Sequence, residues 1–137
     1  MLELSQPAQL TAGIAVLAAI TVTTGGYFMT RVVAGKVPAT PFQTSFFRAG
    51  HAHAGVFIIL GLVCLLLTEA TDLSGGWAWL ARTGALVAAI VMPAGFFFSA
   101  MGRGRERPNR LVVLLYLGAG FLIAGLATLG IGLLAAA

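Results

Sequence analysis

Four long stretches without a single charge constrain this chain more than anything else in it. Between Glu3 and Arg31 lie 27 residues with no Asp, Glu, Lys or Arg. Arg48 and Glu69 bracket 20 more, Arg82 and Arg103 another 20, and 27 follow Arg110. A helix needs about 20 mostly apolar residues to cross the hydrocarbon core of a bilayer. Only 9% of the 137 residues are charged and 59% are hydrophobic, which excludes a soluble domain. The expected fold is all-α: an integral membrane four-helix bundle forming one transmembrane domain over 1–137. Its spans fall near 8–29, 49–68, 77–101 and 111–134.

The net charge of +4 does not point to nucleic acid, because seven of the eight basic residues sit in short connections between spans. The first connection holds Arg31, Lys36 and Arg48, and the third holds Arg103, Arg105, Arg107 and Arg110 against Glu106. The second is acidic, with Glu69 and Asp72. With four spans, the first and third connections share a side. The positive-inside rule predicts that side in the cytoplasm and both termini outside, in a multi-pass protein of the cell membrane. Trp77 and Trp79 then belong to the outer aromatic belt. No basic residue precedes the first span, so the start is not expected to be a cleavable signal. Cys64, the only cysteine, lies within a span and reads as a small apolar filler.

Local signals sharpen the helices. Thr40-Pro41-Phe42-Gln43 reads as a capping box with proline at the first helical position, so the second helix is expected to begin near Pro41. Phe42, Phe46 and Phe47 would then lie on an interfacial turn. Met92-Pro93-Ala94-Gly95 is expected to bend the third span. Gly118, Gly125 and Gly132 recur every seven residues and draw a smooth seam on the fourth, suited to close helix packing.

The two histidines stand together in Arg48-Ala49-Gly50-His51-Ala52-His53-Ala54-Gly55. Ionisable groups in a span are costly enough to suggest function when a partner can be named. Two residues apart, the imidazoles project about 200° from each other on a helix, so they cannot easily grip one ion together. The small residues around them leave space that a bulky flat cofactor would require. The plainer alternative is a pair of wet residues at the membrane boundary.

A His-x-His pair opening a membrane helix, followed by Gly55 and a long apolar run, resembles the liganding helix of the haem-copper oxidase main subunit. It is also similar to small four-helix membrane proteins carrying the same pair. In the oxidase subunit the two histidines face opposite ways and ligate two different haems. Its twelve helices form three sets of four, with the pair in the second helix of a set, as here. The resemblance implies a haem-binding unit with His51 and His53 as axial ligands in a redox or gas-binding role. It also implies a homotrimer imitating the larger fold. Copper or another metal at the same histidines is a further expectation. Two features depart from the pattern. No second helix carries a histidine, so other ligands would come from neighbouring subunits or from Met29, Met92 or Met101. Charge placement also puts the pair at the cytoplasmic end, whereas oxidase haems lie toward the outer side.

Arg48, one turn before His51, suits a haem propionate or an anionic headgroup, or serves as a positive-inside anchor. Arg82 lies inside the third span and needs a partner; Glu69 or Asp72 stands at its level, and a structural Arg82–Glu69 ion pair is expected. Glu69 follows His51 by five full helical turns, placing both on one stripe with Gly55, Ile58 and Leu62. No nucleophile–base pair, phosphate loop or carboxylate cluster is present to support hydrolysis or phosphoryl transfer. Two other readings stay open: a small oligomeric channel or transporter whose subunits pack through the glycine seam, and an accessory subunit of a larger membrane complex.

Overall fold

A computed structural model of the protein, which describes residues 3–137, contains four helices: α1 (Gln6–Val33), α2 (Pro41–Thr68), α3 (Gly75–Ala100) and α4 (Val113–Ala135). A short 3-10 turn, Arg110–Val112, leads into α4. All four helices are long and apolar enough to cross a membrane, and the chain is a multi-pass membrane protein. The ends of α1 and α2 are set by local chemistry. Ser5 caps α1 by accepting from the Ala8 amide. Thr40 and Gln43 form the expected reciprocal capping box, with Pro41 opening α2. That helix is 28 residues, or about 42 Å, long.

α3 is the central helix. In its most apolar window 44% of residues are buried inside the protein, against 22% for α2 and 11% each for α1 and α4. α3 packs along both α2 and α4, and α2 also meets α4. α1 lies outside this trio, against α2, and barely touches α3. Connections 34–40 and 101–109 lie together at one end, the basic end. At the opposite, acidic end, Ser5 meets Glu69 and Gly132 meets Leu73, so the beginning of α1 and the close of α4 share a level.

The glycine seam of α4 is consumed within the chain. A Cβ on Gly125 would stand 3.0 Å from the Gly84 Cα and 3.1 Å from the Leu80 carbonyl oxygen. A Cβ on Gly118 would reach the Met92 amide at 2.9 Å, and one on Gly132 would press on Leu73 at 2.6 Å. In lipid no hydrophobic drive brings helices together, so close backbone approach through small residues holds α3 to α4. The seam packs within the chain, on α3 at Gly118 and Gly125 and on Leu73 of the connection before it at Gly132. α3 continues as one helix through Pro93, which is buried.

The aromatic residues at the start of α2 pack inward. Phe47 is buried, stacked on Phe97 with centroids 5.6 Å apart and edge-on to Phe28 at 5.5 Å. Phe46 meets Phe96 at 5.4 Å. These rings close the core at the basic end, because α3 brings Phe96 and Phe97 to their level. Nearby, Gln43 is buried, and its Nε2 donates to the carbonyls of Ala100 at 2.8 Å and Gly102 at 2.6 Å. Its Oε1 accepts from the Thr40 amide at 3.1 Å, and the Thr40 hydroxyl donates to the Arg105 carbonyl. One side chain thus caps α2 and clamps the basic loop. Gln43→Ala is expected to cost about 1–3 kcal/mol by leaving these carbonyls unpaired, read from thermal unfolding in detergent.

Candidate functional site

α2 carries two stripes with different neighbours. His51, Gly55, Ile58, Leu62 and Glu69 share one stripe, and it is the seat of α1. A Cβ on Gly25 of α1 would stand 3.2 Å from His51 Nδ1, and one on Gly26 would stand 3.6 Å from Nε2. A Cβ on Gly55 would meet Val22 at 3.9 Å. At the far end Glu69 Oε2 accepts from the Ser5 amide at 2.7 Å. The imidazole of His51 therefore occupies a notch that exists because two consecutive glycines of α1 have no side chains.

His53 lies on the other side. Its Nδ1 donates to the Ala49 carbonyl at 2.7 Å, one turn back on the same helix. Its ring rests on Phe96 at 5.0 Å and edge-on to Phe57 at 5.3 Å. Because a carbonyl only accepts, that bond places a proton on Nδ1. The two imidazoles are thus divided between the α1 and α3 sides of α2, as their spacing predicts, and one chain does not bring them to a common centre. Among the described residues no group of three His, Cys, Asp or Glu side chains is placed to hold a metal ion.

The space around the pair is unequal. Beside His53 it is filled: a Cβ on Gly50 would collide with Phe97 at 2.9 Å and Phe96 at 3.0 Å. The expected openness around both imidazoles is found only beside His51. There an open cleft of about 560 Å³ runs between α1 and α2, lined by Met29, Thr30, Val33, Ala34, Arg48 and His51. Its volume is that of a small-molecule site. The lining combines apolar walls with one guanidinium, one imidazole and one thioether. Arg48 is exposed at its mouth and has no carboxylate partner among the described residues.

At the acidic end Arg82 Nη2 donates to Glu69 Oε1 at 2.9 Å. Glu69 therefore joins three helices, bonding the start of α1 and the third helix from the end of α2. The contact with Ser5 is absent from any sequence signal, since a backbone amide leaves no residue type to read. Arg82 Nε is buried without a hydrogen-bond partner. Asp72 takes no part in the ion pair. Cys64 is buried with Ala81, Ala85 and Leu129, as a filler. Comparison with protein-family models, curated proteins and solved structures finds no match, so the site rests on its own geometry.

Proposed function

We propose that this protein binds haem in the cleft between α1 and α2, with His51 as axial ligand and Arg48 as the partner of a propionate. The observation that supports it is the content of the cleft: an imidazole seated in a glycine notch, a guanidinium at the mouth and apolar walls between them. These residue types suit an amphiphilic macrocycle, whose apolar body and anionic edge need different surroundings at a membrane boundary. The likeness of the Gly50–Gly55 segment to a haem-liganding helix points the same way. Bound there, the haem would supply one-electron or gas-binding chemistry. The residues of this chain would orient it, with its propionates toward the basic end. By the positive-inside rule that end faces the cytoplasm across the cell membrane. In this reading His53 is a structural residue of the α2–α3 contact unless a further copy of the chain approaches it. Association into a trimer rests on the oxidase resemblance.

The test is an absorption spectrum of detergent-purified protein expressed with added haem, oxidised and reduced. A Soret band is expected for wild type and for His53→Ala, and its loss for His51→Ala. Colourless wild-type protein sinks the reading. A band that survives His51→Ala and disappears in His53→Ala moves the site to the other face of α2.

A further inference from the structure

We infer that the groove between α1 and α3 is a binding site for one phospholipid acyl chain from the leaflet at the acidic end, and that this chain supplies the contact α1 lacks with α3. The site goes beyond the haem reading and shares no lining residue with the histidine cleft.

Because α1 seats on α2 and barely touches α3, a groove of about 420 Å³ stays open between them. Ala54 and Ile58 of α2 form its floor, and its walls run from Thr11 to Val22 on α1 and from Thr83 to Pro93 on α3. Ile14 and Ile90 stand at the rims, 69% and 72% exposed. None of the lining residues is charged. The threonine hydroxyls are spent on their own helices: Thr11 donates to the Pro7 carbonyl at 2.8 Å, Thr21 to Ala18 at 2.6 Å and Thr83 to Trp79 at 2.7 Å. The groove therefore offers no free hydroxyl proton to a polar ligand, as suits a surface facing hydrocarbon. Its α1 wall is about 16 Å long at 1.5 Å per residue, half of a hydrocarbon core about 30 Å thick. The wall starts little more than a turn inside α1, at the acidic end, so it follows the depth of that leaflet. A volume of about 420 Å³ spread over about 16 Å leaves a mean cross-section of about 26 Å². A helix about 10 Å across needs about three times that. The groove thus takes a single hydrocarbon chain and not a helix of a second copy. Left empty, it would forfeit the dispersion contacts of its lining, and between helices in lipid those contacts are a main source of attraction.

The test is native mass spectrometry of the protein reconstituted in dioleoyl-phosphatidylcholine bilayers and released from a mild detergent. Wild type is expected to retain a single phospholipid per chain. Ala18 lines the groove and is exposed, so Ala18→Phe puts a ring into it without entering the core, and the retained lipid is expected to be lost. Val16, 56% exposed on the same helix, lies outside the groove, and Val16→Phe is expected to keep the lipid. Ala54→Leu fills the groove from its floor and is expected to repeat the loss, which covers a failure of Ala18→Phe to fold. Hydrogen exchange along Thr11–Val22 should rise in the two filled variants' lipid-free wild-type counterpart and fall when the phospholipid is added back. The inference is overturned if wild type retains no lipid, or if the filled variants retain as much as Val16→Phe. A mass of two chains in place of the lipid overturns it as well, by giving the groove to a second copy. None of these results bears on the haem spectrum, so the haem reading stands or falls separately.

Discussion

Gly84→Leu is expected to destroy the packing of α3 on α4, at a cost of about 3 kcal/mol or more, the upper range for overpacking. A Cβ at Gly84 would stand 2.8 Å from both the Gly125 Cα and the Phe121 carbonyl oxygen. Those are backbone atoms of a helix, which cannot swing aside as the end of a side chain can. The two helices would have to separate along their whole seam, releasing the close contacts at Gly118 and Gly132 as well. Gly120 lies in the same helix with nothing within 4 Å of its would-be Cβ, so Gly120→Leu should change stability by no more than about 0.5 kcal/mol. Thermal unfolding of the two variants in one detergent makes the comparison. Equal melting temperatures would show that the seam does not carry the fold.

Glu69→Ala should be the second large effect. It strips Arg82 of its carboxylate partner while the guanidinium stays mostly covered; the paired side chains are 16% and 13% exposed. Removing one partner of a fully buried pair costs about 3–5 kcal/mol, and the residual exposure here lowers the expectation to about 2–3 kcal/mol. The same change frees the start of α1, the helix least held by the rest of the protein. Hydrogen exchange should therefore rise first in the opening turns of α1. The interaction also sets a pH dependence. The hydrogen bond from the Ser5 amide, and then the Arg82 guanidinium, hold the Glu69 carboxyl below its ordinary value. A carboxyl with a depressed folded pKa gives stability that is present in full above the unfolded pKa and lost as pH falls through the folded one. Melting temperature should stay level from neutral pH to about 5 and decline below the usual carboxylate range near 4.3. Glu69→Gln should start lower and lose that decline; an unchanged acid limb in Glu69→Gln would assign it to other groups.

Much of the site's arrangement was legible in residue spacing. Histidines two apart must diverge on a helix, and His51 does face α1 while His53 faces α3. A stripe recurring at five turns links His51 to Glu69, and one neighbouring helix covers both. What spacing could not supply was the identity of that neighbour. Nothing in Gly25-Gly26 distinguishes a notch for an imidazole from any other small pair in a membrane helix. Likewise Gly50 read as open space, and Phe96 with Phe97 fill it from 46 residues further along the chain. The cleft beside His51 could not be foreseen either, because a cavity is a property of two backbones and their separation.

The sequence alone determined that four helices cross a membrane, where α2 begins, and which end of the molecule is basic. Each of those follows from chemistry local to a segment: transfer of apolar residues from water, a capping hydroxyl and amide, and charges that stay out of hydrocarbon. Only the tertiary structure decided that the glycine seam of α4 packs within the chain, that α1 rides outside the core, and that Glu69 ties α1 to the rest. Between apolar helices in lipid the favourable terms are van der Waals contact and a few polar bonds. Such terms depend on which small residue meets which backbone at a separation of a few ångströms, and no periodicity in a single helix records its partner.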